Sequence, residues 1–254
     1  MNKKEYAFCK VSISPLKKEN SDTSEMVSQL LFGELVDILE KQNNWTKITT
    51  FYDNYEAWAD TKHLIPLNEE EFKLHSENLS MQSEIWREIE TPWGKQSIVR
   101  GSFIPFTNSL QFNIGQHHFN FLGQTTKTNH TLETFAKMYL NTPYLWGGKS
   151  PFGIDCSGFT QQVFRYFGKQ IPRDAYQQAK HGNAVAFENS QEGDLAFFQN
   201  SSGKITHVGI ILNHSEIIHA SGYVKIDVLK KDGIYSKESN EKTHDLSLIN
   251  RLIL

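Results

Sequence analysis

The sequence predicts an α+β fold, and three observations carry the prediction. The chain's first half is a series of short β-rich runs separated by polar turns. A Gly- and Pro-broken loop at Tyr144–Gly153 then leads into a stretch with helical spacing of Phe159, Val163, Phe164 and Phe167, stopped by Gly168 and Pro172. Beyond it lie runs with strand character over Leu195–Gln199, Ile205–Leu212, Glu216–Ala220 and Val224–Val228, read as an antiparallel meander.

The strand-like runs of the first half are Tyr6–Ile13, Leu35–Glu40, Thr46–Phe51 and Ala57–Ala59, with polar breaks at Lys17–Ser24 and Gln42–Asn44. The acidic Asn68-Glu69-Glu70-Glu71 and the polar stretch to Glu90 read as a linker or short helix. A second β-rich block covers Ile98–Leu122, with turns at Thr107-Asn108-Ser109 and Gly115-Gln116. Thr131 is placed to cap a helix over Leu132–Leu140.

The helix after Asp155 starts with Cys156 in its first turn, where unpaired N–H groups and the positive dipole end favour a thiolate. A buried structural cysteine is the plain alternative. Two histidines bear on the choice. A three-residue loop Asn213-His214-Ser215 would set His207 opposite Ser221 and put His219 diagonal to His207 on the same face. Diagonal Cα atoms lie roughly 7–8 Å apart, close enough for two imidazoles to meet. A loop of two or four residues would put them on opposite faces.

Composition bounds the class of function. A chain of 254 residues with 38% apolar content can bury a sizeable core, and a net charge of −3 offers no broad basic surface for nucleic acid or anionic membrane. Glu5 and Lys10 interrupt any signal-like apolar core, and no run approaches the ~20 apolar residues of a membrane span, so a cytoplasmic location is expected. Cys9 and Cys156 are expected to be unpaired thiols, with Cys9 buried in an N-terminal strand. No metal cluster is expected, because the adjacent His117 and His118 point to opposite faces and Cys9 has no ligand partner nearby. No phosphate-cradling glycine motif occurs, and no cofactor is expected.

The blocks Tyr144–Gly158, Ile171-Pro172-Arg173 with Gln177 or Gln178, Glu192–Phe198, His207-Val208-Gly209-Ile210 and His219-Ala220 resemble the NlpC-type cell-wall peptidases. These are papain-like cysteine peptidases acting on peptidoglycan stem peptides. The resemblance implies Cys156 as nucleophile, His207 as general base, His219 as its orienting partner and Tyr144 near the oxyanion. Relatives often read Pro-Arg-x-Ser where this chain has Pro172-Arg173-Asp174-Ala175, so one hydroxyl contact to substrate is missing.

The segment with Ser24–Gln29, Gly33-Glu34 and Tyr55–Trp58 resembles a bacterial SH3-like domain. The implied organisation is an SH3-like barrel at 1–66, a linker and second SH3-like barrel at 67–127, and a papain-like peptidase domain at 128–254. The implied bond is γ-D-glutamyl to a diamino acid, diaminopimelate or lysine, in a small peptide substrate released during wall recycling. In relatives with this architecture the first barrel walls off the cleft and selects peptides with a free N-terminal L-alanine. Asp155 and Ser157 would then face the ammonium, Trp146 would wall the cleft, and Glu25 and Tyr55 would contribute from the first barrel. A non-catalytic wall-binding protein and a papain-like acyltransferase are the alternatives. Oligomeric state is left open.

Overall fold

A computed structural model describes residues 4–106, 109–123 and 129–252. Met1–Lys3 and the expected turn residues Thr107 and Asn108 lie outside them. The chain divides into two compact units, one of residues 1–128 with 146–151, the other of 129–145 with 152–254. Trp146–Pro151 groups with the β-rich half.

In the first unit, β1 (Glu5–Cys9), β2 (Ile13–Lys17), β3 (Met26–Leu31), β4 (Leu35–Gln42), β5 (Trp45–Thr50), β6 (Glu56–Asp60) and β7 (Leu64–Leu67) form one sheet in the order β3-β2-β6-β5-β4-β1-β7. Its core gathers Ala7, Cys9, Leu16, Leu30, Val36, Ile48, Ala57 and Ala59. Helix α1 (Glu69–Glu77) starts at a capping box between Asn68 and Glu71, which satisfies two of its first N–H groups.

The polar stretch read as linker contains two more strands, β8 (Leu79–Met81) and β9 (Trp86–Thr91). Strand β9 turns Arg87, Ile89 and Thr91 inward, and the Arg87 guanidinium lies 3.7 Å from the Phe121 ring centre, so a cation holds a position that looks solvated in sequence. With β10 (Gly94–Val99), β12 (Gln111–Ile114) and β13 (His117–Phe121), β9 forms a four-stranded antiparallel sheet; β8 pairs with β11 (Phe103–Pro105). Phe8 and Leu35 of the first sheet, with Phe32 in the turn between β3 and β4, share one core with Ile89, Ile98, Phe112, Ile114 and Phe119 of the second. The strands β9, β10, β12 and β13 therefore pack into the same core as the first sheet.

The same unit holds the short β14 (Lys149–Ser150). Gly147, at φ +76, lies so close to the Met26 carbonyl that a Cβ would sit 2.6 Å from its oxygen. Lys149 then reaches Glu34 at 3.1 Å, both side chains almost wholly buried, while its N–H donates to Gln29 Oε1 at 2.8 Å.

In the second unit, α2 (Leu132–Lys137), shorter than expected, and α3 (Cys156–Tyr166) pack through Phe135 stacked on Tyr166 at 3.9 Å. The two residues of β15 (Gly153–Ile154) precede α3, and α4 (Ala175–Gln178) follows it. The sheet comprises β16 (Asn183–Ala184), β17 (Leu195–Gln199), β18 (Ile205–Asn213), β19 (Glu216–Ser221), β20 (Tyr223–Lys230), β21 (Gly233–Tyr235) and β22 (Lys242–Arg251). The expected meander is β17 to β20. Its continuation through β21 and β22 closes a cycle, because β22 pairs with both β21 and β17. Phe198, Ile211, Ile217, Ile234 and Ile249 fill the core on one face of these strands.

Candidate active site

Cys156 is the first residue of α3, as its sequence position predicts. Asp155 caps the helix, accepting from the Gly158 N–H at 2.7 Å. Burial pushes the Cys156 thiol up to about 12 and the Asp155 carboxylate adds to the rise, outweighing hydrogen bonding by the Val208 and Ser157 main chain and the charge of Arg173. The lowering expected from the helix start is thus opposed at this thiol by burial.

Strand β18 passes this thiol at Val208 and carries His207. The turn joining β18 to β19 has two residues, His214 and Ser215, instead of the expected three. A two-residue turn alone would have put the histidines on opposite faces. A bulge between Ile211 and Asn213 supplies the missing shift and sets Gly209 opposite His219. His207, Gly209 and Ile211 thus share a face with Ile217 and His219. His207 Nε2 lies 2.9 Å from His219 Nδ1. Gly209 makes this approach possible, since a Cβ there would lie 2.9 Å from that of His219.

His219 has a further partner that no local sequence pattern marks. The structure continues to Asp227 on β20, whose Oδ2 is 3.0 Å from His219 Nε2. Burial alone would raise the Asp227 carboxyl, but the bonds from His219 and the Lys237 N–H, with the nearby Lys225 charge, take it down to about 2. An ionised carboxylate only accepts, so the His219 proton sits on Nε2. His219 Nδ1 then accepts from His207 Nε2–H, leaving His207 Nδ1 as a lone pair. Burial, then the neighbouring His219 and His244, hold His207 well below the usual imidazole range. His219 is held down by burial against the opposing pull of Asp227.

His244 on β22 is the second residue not foreseen. Its ring stacks on His207 with centres 4.3 Å apart, and burial brings it down to about 4. A ring nitrogen from each of His207, His219 and His244 lies within 4.8 Å of the other two, so the expectation of no gathered metal-ligand residues does not hold in three dimensions. No local pattern marks Asp227 or His244, because strand pairing across the closed cycle brings them in.

Arg173 is fully buried and forks onto Asp155, with contacts of 2.9 and 2.6 Å, and donates to Ser157 Oγ at 3.0 Å. Asp155, expected with Ser157 to face a substrate ammonium, is thus paired with a buried guanidinium. Half-buried Tyr144 is pushed up by burial, with the nearby Cys156 and Asp155 adding to the rise. Ala175, at the missing-hydroxyl position, is buried as the first residue of α4. Gln178 ties this region together, accepting from Thr160 Oγ1 and donating to the Ser157 and Pro172 carbonyls.

The other expected residues lie in the first unit. Exposed Trp146 donates from Nε1 to Glu25 Oε1 at 2.9 Å, and Lys18 pairs with the same carboxylate at 3.6 Å. Tyr55 packs half-buried against the first core.

Residues 141–243 match the profile of the NlpC/P60 family, and residues 16–64 match that of the bacterial dipeptidyl-peptidase SH3 domain. A gamma-D-glutamyl-L-lysine dipeptidyl-peptidase of Bacillus cereus is 28% identical over 228 residues, 79% of this chain and 68% of that protein. A probable endopeptidase of Haemophilus influenzae is 34% identical over 131 residues, 47% of this chain and 81% of the relative. The crystal structure of an NlpC/P60 family protein from Bacillus cereus shares the fold, with a TM-score of 0.78 at 21% identity, covering 97% of this chain and 99% of that one. On this evidence the chain belongs to the NlpC/P60 family of cysteine peptidases.

Proposed function

We propose that this peptidase hydrolyses the γ-D-glutamyl to diamino acid bond of peptidoglycan stem peptides, acting on free L-Ala-γ-D-Glu-diamino acid peptides. The observation that supports it most is the series from His207 through His219 to Asp227, carried by the strand whose Val208 main chain lies against the helix-start Cys156.

In this reading His207 Nδ1 takes the proton of the Cys156 thiol as sulfur attacks the amide carbonyl. The high thiol pKa fits base-assisted attack, in which the proton leaves as the carbon–sulfur bond forms. The imidazolium that results is stabilised through His219 by the Asp227 carboxylate, and it returns the proton to the leaving amine. N–H groups at the start of α3, with the Tyr144 hydroxyl, stabilise the tetrahedral oxyanion. Water then releases the acyl group from sulfur.

The choice of bond and of short peptides follows from the Bacillus cereus relative, named for γ-D-glutamyl-L-lysine and for dipeptide release. A role in recycling such peptides within the cytoplasm goes with it. The deciding experiment incubates the protein with L-Ala-γ-D-Glu-L-Lys, its diaminopimelate counterpart, their N-acetylated forms and whole sacculi, with products read by mass. Release of L-Ala-D-Glu from the free peptides is expected to outpace every other reaction. Comparable rates on N-blocked peptides or sacculi would defeat the recycling reading, and transfer of the dipeptide to an added amine in preference to water would make the protein an acyltransferase.

A further inference from the structure

Three imidazoles converge where β18, β19 and β22 carry them to one place. His207 and His244 stack with 26° between their planes, and both meet His219 edge-on, with ring centres 5.1 and 5.7 Å away. Two of the three have their outer nitrogen tied to an oxygen, His219 Nε2 to Asp227 at 3.0 Å and His244 Nδ1 to Thr243 Oγ1 at 2.8 Å. Histidines that ligate metals are held in this way. An oxygen on the far N–H fixes the tautomer and leaves the other lone pair free for the ion.

We propose that His207 Nε2, His219 Nδ1 and His244 Nε2 bind a zinc ion, with water as fourth ligand, and that its occupation switches the peptidase off. Zinc takes imidazole nitrogens at about 2.0–2.1 Å in a tetrahedron, which sets neighbouring ligand atoms about 3.3 Å apart. The 2.9 Å between His207 and His219 has to open by a few tenths of an ångström, and the third nitrogen closes in from within 4.8 Å. His244 is half-buried and stands on the last strand, so its ring is the one with room to turn. Asp227 offsets part of the ion's charge through His219.

The proton count explains the inhibition. His207 Nε2 carries the hydrogen shared with His219, and it becomes a ligand only when that hydrogen moves to Nδ1. No proton is released and no redox change occurs. His207 Nδ1 is then a donor with no lone pair for the thiol proton. The inhibitory half rests on the role of His207 as base, whereas the binding site does not.

The test uses the full chain as Cys156→Ala, which removes the thiol as a competing ligand, titrated with zinc alone by calorimetry. One equivalent is expected to bind, with a rise in Tm that EDTA reverses. Adding His244→Phe keeps a ring on His207 and removes the third nitrogen, and should weaken binding by at least about tenfold. In the wild-type protein, peptide hydrolysis should fall in proportion to occupancy and return with EDTA. Failure of Cys156→Ala to bind zinc or gain Tm, or equal affinity with His244→Phe, would overturn the site. Zinc bound with full hydrolysis would overturn the inhibition. Hydrolysis surviving in Cys156→Ala would instead sink the cysteine mechanism, and the zinc titration would still decide the site.

Discussion

His219 Nε2 stands 3.0 Å from the Asp227 carboxylate, and this contact determines which nitrogen His219 presents to His207. The carboxylate acts two residues away from the thiol chemistry, as a positioning group that sets a tautomer.

Asp227→Asn should therefore cost more than a lost charge. An amide NH2 can donate to His219 Nε2, which moves the ring proton to Nδ1 and breaks the match with His207. A fall in kcat/KM of about a hundredfold or more is expected, in line with carboxylate-to-amide changes beside catalytic histidines. Retention of the wild-type pH profile and rate would show that Asp227 only packs.

Cys156→Ala should lose about three or more orders of magnitude in rate with Tm little changed, because alanine fits a helix start. Cys9→Ala should keep most activity, since that thiol lies in the first core. His219→Ala should lower the rate less than His207→Ala, because water can replace an orienter more readily than a proton carrier. Equal rates in the two histidine variants would remove the relay.

Gly209→Ala tests the close approach of the strands. The added methyl would meet Ile217 at 2.8 Å and the His219 Cβ at 2.9 Å, so β19 has to shift and His219 with it. The expected result is a loss of about tenfold or more in kcat/KM, since small misplacements of reacting groups carry costs of that order. An unchanged rate would mean that the two histidines do not depend on their present spacing.

Arg173→Ala should destabilise the fold by about 3–5 kcal/mol, the usual cost of leaving one member of a buried pair behind. Arg173→Lys should restore little, because one ammonium cannot reproduce the two contacts to Asp155 and the third to Ser157. Urea denaturation of both variants measures this, and a wild-type midpoint for Arg173→Ala would refute it.

Acid should weaken the fold over a defined window. Burial holds His75 and His244 down at about 4, below the ordinary imidazole value of 6.5. The unfolded chain binds more protons between those limits, so the stability present above pH 6.5 is lost as the pH falls toward 4. His75→Phe should flatten that slope in urea unfolding followed across pH. An identical slope in the variant would show that His75 does not contribute.

The nucleophile's position was legible because it depends on local signals. Glycines and proline break the loop before Asp155, a capping carboxylate follows, and the apolar spacing of α3 starts at once. The shared face of His207 and His219 was legible only through parity. Its reading assumed a three-residue turn, where the chain uses two residues and the bulge at Leu212 to reach the same register. Strand β9 was missed because Arg87 and Thr91 read as polar until Phe121 is seen beneath the guanidinium.

Sequence by itself determined the local elements of this protein: a helix-start cysteine, two histidines on one face of a hairpin, and a β-rich first half. Only the tertiary structure decided the state of those groups. Closing the strands from β17 to β22 brought in Asp227 and His244, and burying Cys156 beside Asp155 raised its thiol against the pull of the helix start. Spacing along a chain reports which side chains share an element and a face. Desolvation and long-range pairing depend on what packs against that face, and residues distant in sequence supply it.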